Sequence, residues 1–200
     1  MNMAPTLAAA LLLALGLAAA PARTAPDTKP LAAPPPPAAP RLAEGEGRAG
    51  DLHIIQLWTA DSDAFLAEWA RPTPPKLVTG NRTTRNRPLS QFIIFGGCRA
   101  DAAGHCHLTA RITITDPDGA PYGDPMAFAI WDDQPAPPPK RLILSPNSIG
   151  LVIEDGEKLG TYRVHLAVTD EHAGVTAEST SVIEVREAEG GAAAPTAGAE

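Results

Sequence analysis

From His105 to Thr115 apolar and polar positions alternate without a break. Cys106, Leu108, Ala110, Ile112 and Ile114 fall on one side, and His107, Thr109, Arg111, Thr113 and Thr115 on the other. A period of two is that of a β-strand with one face in a core. The same period returns at Tyr162, Val164, Leu166 and Val168 against Arg163, His165, Ala167 and Thr169. Asp170-Glu171-His172-Ala173-Gly174 then supplies a turn and Ala177 to Val185 runs back, so the stretch 160–185 predicts a hairpin. Leu52 to Trp58 and Leu89 to Phe95 are apolar on both faces, which predicts central strands or strands covered on both sides.

Met126 to Trp131, Leu142 to Leu144 and Ile149 to Glu154 supply the remaining strand signals. Asp116-Pro117-Asp118-Gly119 carries turn chemistry, and Pro135 to Pro139 predicts a loop because proline cannot donate to a ladder. One helix interrupts the strands. Asp61 or Ser62 caps it, Phe65, Leu66 and Trp69 share a face, and Pro72 stops it. Trp58 and Trp69 are read as core packing that closes one end of the fold, rather than as an aromatic ligand platform. Strand signals every ~10–15 residues with Pro and Gly turns between them predict an all-β sandwich with one short N-terminal helix.

Composition divides the chain into four parts. Residues 7–20 are all Leu, Ala or Gly, and Ala20-Pro21-Ala22 follows in the small-x-small arrangement of a cleavage site, so residues 1–22 read as a signal peptide. The run is shorter than the ~20 apolar residues of a bilayer span, so no stable membrane span is expected after its removal; retention as an anchor is the alternative. Residues 23–50, rich in Ala and Pro with Pro34 to Pro37 in a row, form a disordered, extended linker. Residues 51–186 form the sandwich, and residues 187–200, Ala, Gly and Glu without core formers, a disordered tail. The signal, with 12 Arg to 4 Lys as in a GC-rich genome, places the protein in a bacterial periplasm or outside the cell.

Cys98 and Cys106 carry the most specific local chemistry. They flank seven residues between two strands, which predicts a hairpin loop closed by a disulfide in an oxidising compartment, worth ~2.5 kcal/mol by loop entropy. A metal site is the sharper alternative, because His105 and His107 flank Cys106 and project side by side. If Cys106 faces inward the histidines face outward, so the four cannot converge without breaking the strand. No metal or other cofactor is therefore expected.

Charge is uneven although the formal total is only −7. Between residues 71 and 99 stand six cations, Arg71, Lys76, Arg82, Arg85, Arg87 and Arg99, and no acid; from residue 101 to 186 there are thirteen acids and six cations. The stretch is a candidate basic binding patch for an anionic envelope component or an acidic protein surface; the alternative is a polar loop that solubilises a sheet edge. Nucleic acid does not fit an acidic exported domain. No G-x-S-x-G, H-E-x-x-H, Walker or C-x-x-C sequence is present, no Ser sits in a nucleophile context, and the acids at 132–133 and 154–157 fall at expected turns.

The G-T-Y-x-V-x-L-x-V-x-D pattern at Gly160 to Asp170 resembles polycystic-kidney-disease-type and related bacterial immunoglobulin-like modules, with Tyr162 in the tyrosine-corner position. The resemblance implies an immunoglobulin-like β-sandwich. The layout of signal, Pro-rich spacer and one β-domain, with the F-x-x-F-x-G-C…C pattern at Phe92 to Cys106, is similar to that of a group of uncharacterised exported proteins and implies no activity. The function expected is a non-catalytic binding or accessory module of the cell envelope. A metal-binding envelope protein using Cys and His near 98–107, and an enzyme whose site forms only in three dimensions, are the alternatives.

Overall fold

A computed structural model describes residues 42–188. The expected signal peptide at 1–22, residues 23–41 of the expected linker and residues 189–200 of the expected tail lie outside the described residues. In chain order the elements are β1 Glu46–Ala49, β2 Leu52–Thr59, α1 Ser62–Trp69, β3 Arg82–Thr84, β4 Leu89–Gly96, β5 His105–Thr115, β6 Met126–Pro135, β7 Ile143–Leu151, β8 Gly160–Asp170 and β9 Val175–Arg186. They form two sheets, β1-β2-β4-β7 and β3-β9-β8-β5-β6, antiparallel throughout except where β3 runs parallel to β9. Inward side chains of both sheets fill one core, Leu52, Ile54, Ile93 and Phe95 from the first and Leu108, Ile112, Val164, Leu166, Val168 and Ile183 from the second. The architecture is an all-β sandwich.

The alternations hold residue by residue. Cys106, Leu108, Ala110, Ile112 and Ile114 are buried while Arg111 and Arg163 are exposed, and β8 pairs β9 from Gly160↔Val185 to Asp170↔Val175. Tyr162 is buried, and its hydroxyl donates to the Lys158 carbonyl at 2.7 Å, which ties the turn before β8 to the strand. β4 is buried on both faces because Ile93 and Phe95 enter the core while Phe92 stacks on Phe65 of α1, centroids 4.2 Å apart.

Five expectations are corrected. Cys98 and Cys106 do not close a hairpin: β4 and β5 belong to different sheets, so the connection between them crosses over one end of the sandwich. The domain begins before residue 51, since β1 lies within the stretch assigned to the linker; its only apolar residue is Ala49, and backbone pairing with β2 rather than side-chain burial makes it a strand. Gly47 is needed there because a Cβ would collide with the Glu178 carbonyl of β9. Pro135 joins β6 opposite His105, which the edge position of β6 permits. The signals at 142–144 and 149–154 are one strand, β7, irregular opposite Phe92 to Ile94. Helix α1, capped by the Asp61 side chain, lies over the outer face of β4 rather than plugging an end, and Leu66 points to solvent at 45% exposure.

The core also holds polar groups that periodicity assigns to apolar ones. Gln91 Nε2 donates to Gln56 Oε1 at 2.6 Å, Ser181 Oγ donates to the same oxygen at 2.9 Å, and Trp58 Nε1 donates to Ser181 Oγ at 2.8 Å. Trp58 is thus core, 3% exposed, with its indole N–H satisfied between the sheets. No helix among the described residues is long and apolar enough to cross a membrane.

Candidate functional site

The cysteines are bonded, with Cα atoms 6.2 Å apart, and because Cys98 lies just beyond β4 while Cys106 lies in β5 of the other sheet, the bridge ties the start of the crossover to that sheet. The crossover they clamp is held again by Asp170, the last residue of β8. Its buried carboxylate accepts the backbone N–H of Arg99 at 2.6 Å and those of His172 and Ala173 at 3.1 and 3.0 Å. Gly97, at φ 76°, brings the crossover against the Asp51 carbonyl, where any side chain would collide. A cavity of about 350 Å³ opens here, lined among others by Asp51, Cys98, Arg99 and Asp170.

The bridge occupies both thiolates, so a Cys/His metal site is not formed. His105 and His107 do share the outward side of β5, but the partners of His107 are two acids expected at a turn. Its Nδ1 lies 3.2 Å from Asp132 Oδ1 and 3.5 Å from Asp133 Oδ1. Cys106 pairs with Gln134 and Leu108 with Trp131, so the single residue His107 faces the two residues Asp132 and Asp133 in a β-bulge. Asp133 there takes a positive φ of 46°, uncommon for a residue other than glycine and tolerated by Asp. His105 is not in this group; its backbone N–H donates to Asp101 Oδ1, and that bond holds the Asp101 carboxyl below the usual range.

The six cations differ in their surroundings. Arg71 pairs with Glu68 one helical turn earlier, at 3.0 Å, and Arg82 with Glu184 across β3 and β9, also at 3.0 Å. Arg85 is drawn inward: its side chain is only 15% exposed, and it donates to the Glu154 and Glu157 carbonyls at 2.7 and 2.9 Å and to Glu187 Oε2 at 3.2 Å. Arg87 is exposed, and its carbonyl accepts the Thr83 hydroxyl at 3.0 Å. Lys76 is exposed in the connection after α1. Arg99 follows the far end of β4, the length of the sheet away from Arg71, which follows α1 beyond the opposite end of β2. Arg99 therefore stands apart, while the segment carrying the other five runs between the end of β2 and the start of β4.

At the end where β8 begins several acids of the second half have specific partners. Lys158 Nζ contacts Asp116 and Asp118 together, which raises the lysine above its ordinary range and holds Asp116 below its own. Tyr122 donates to Glu157 Oε1 at 2.8 Å and meets Tyr162 edge to face at 5.1 Å; burial, then the Glu157 carboxylate, pushes its hydroxyl up. Asn86, at φ 61°, reaches Asp155 Oδ1 at 3.0 Å.

No protein-family model matches the chain, and no curated protein matches it. Among solved structures it is similar to the CARDB domain of a Pyrococcus furiosus protein in complex with di-metal ions, at 14% identity and TM-score 0.37, over 73% of this chain and 94% of that one. It is also similar to the DNA-bound alkylpurine DNA glycosylase of Pseudomonas fluorescens, at 14% identity and TM-score 0.34, covering 53% of this chain. A family 123 glycoside hydrolase from Clostridium perfringens is similar at 11% identity and TM-score 0.37, covering 68% of this chain. The chain spans 28% of each of these two proteins.

Proposed function

We propose that the chain is an exported, non-catalytic β-sandwich module of the immunoglobulin-like kind that works by binding an envelope partner along the open side of its sandwich. The signal-like leader and the oxidised cysteine pair support the compartment. The observation that carries the binding surface is the asymmetry of the two sides. Along one, the segment before β1 bridges the sheets, Gly45 N–H donating to the Thr180 carbonyl at 3.1 Å and Val182 N–H to Glu44 Oε1 at 2.9 Å. Along the other, β6 and β7 are both terminal strands and approach one another without pairing, which leaves two edges with open backbone groups. An extended segment of a partner adds to such an edge through main-chain hydrogen bonds.

The test is capture of envelope components by the mature chain and by a variant with Ala127→Lys and Ala129→Lys, which sets two cations along β6 and blocks strand addition. Wild type should retain a discrete partner and the variant should lose it while its melting temperature stays within a few degrees. Equal capture by the folded variant would reject the β6 edge as the binding surface.

A further inference from the structure

We propose that His107, Asp132 and Asp133 form a site for one divalent first-row transition-metal ion, independent of the edge-binding reading above. The argument begins with strand geometry. Consecutive residues of a regular strand point to opposite faces, so Asp132 and Asp133 could not both meet one side chain of β5. The bulge breaks that rule at one position, opposite His107, and the left-handed backbone of Asp133 turns both carboxylates toward the same imidazole.

The distances match a coordination shell. Ligand bonds of ~2.0–2.1 Å to zinc at tetrahedral angles put neighbouring donor atoms ~3.3–3.4 Å apart. The two separations from His107 Nδ1, 3.2 and 3.5 Å, straddle that value, and one donor atom from each of the three residues lies within 4.8 Å of the others. Both carboxylates are about 70% exposed or more, so an ion enters from solvent and water completes its shell. No Lys or Arg among the described residues pairs with either aspartate, which leaves two negative charges to be met by a cation. One imidazole nitrogen among two carboxylate oxygens favours a transition ion over calcium or magnesium, which prefer oxygen throughout. The backbone beneath is fixed, because Cys106 is bridged to Cys98 and the His107 carbonyl accepts the Glu171 N–H at 3.1 Å.

Calorimetric titration of the mature, disulfide-intact chain with zinc chloride at neutral pH tests the site. The expected result is one ion per chain. His107→Ala, and separately Asp132→Asn with Asp133→Asn, should weaken binding about tenfold or more, whereas His105→Ala and His172→Ala should stay within about twofold and calcium should bind about tenfold more weakly than zinc. Thermal melts of every variant run alongside; should His107→Ala fail to fold, His107→Gln replaces it. No saturable binding up to about 1 mM zinc, undiminished binding by the folded His107 variant, or tighter binding of calcium would each overturn the proposal.

Discussion

The two ends of the sandwich handle charge in opposite ways. Where β8 begins, charged side chains are tied to specific partners: Arg85 on two backbone carbonyls and Glu187, Lys158 between Asp116 and Asp118, Glu157 under the Tyr122 hydroxyl. Where β8 ends, a disulfide and the Asp170 carboxylate secure the backbone, and the exposed bulge beside them collects two aspartates on one histidine. Arg85 of the cation-rich stretch therefore serves the fold, while at the opposite end Asp132 and Asp133 have no Lys or Arg partner among the described residues. Charge counted along a chain says little about charge left over in three dimensions, because the partners of Arg82 and Arg85 stand about a hundred residues away.

The largest expected effect comes from removing the buried carboxylate that organises the disulfide end. Asp170→Ala leaves three backbone N–H groups without their acceptor and should cost about 3 kcal/mol in urea unfolding. A loss below about 0.5 kcal/mol would mean that the bridge alone holds the crossover.

A smaller, pH-dependent effect lies toward the disulfide end, where His53 pairs with Gly96. His53 sits part-buried on β2, where burial first and Arg48 second hold its pKa below the ordinary 6.5 despite Glu46 at 3.8 Å. The unfolded chain takes up this proton first, so the contribution is complete above about pH 6.5 and declines as pH falls toward the lower folded value. The melting temperature should drop between pH 7 and pH 5, and His53→Asn should flatten that slope. An equal slope in both proteins would assign the effect to other groups.

Much of the fold is legible in the sequence because strand period is a local property. β5 has the bounds its alternation implies, and β8 and β9 pair through the turn at 170–174. Elements made by backbone pairing alone left no such signal: β1 offers Glu-Gly-Arg-Ala, and β3 is three polar residues held parallel to β9. The disulfide partners were readable from spacing and compartment, but not the crossing between sheets, since a short connection fits a hairpin equally well. The bulge was hidden for a similar reason. Asp-Asp before Gln-Pro reads as a turn, and only the pairing of Cys106 with Gln134 and Leu108 with Trp131 shows that both acids face His107. Gln56 and Gln91 were missed because their flanking apolar residues mask two polar positions that turn inward.

Arg82 pairs with Glu184 across β3 and β9, and Arg85 is held by two carbonyls and Glu187. The most direct measurement is the melting temperature of Arg82→Glu with Arg85→Glu, taken in parallel with wild type at physiological salt. Losing the two carbonyl contacts of Arg85 and repelling Glu184 and Glu187 should cost about 1–3 kcal/mol, at roughly 2–4 °C per kcal/mol for a domain of this size. A fall of several degrees is the predicted result; a melting temperature equal to wild type would show that these side chains are free of the fold and return them to the list of binding residues.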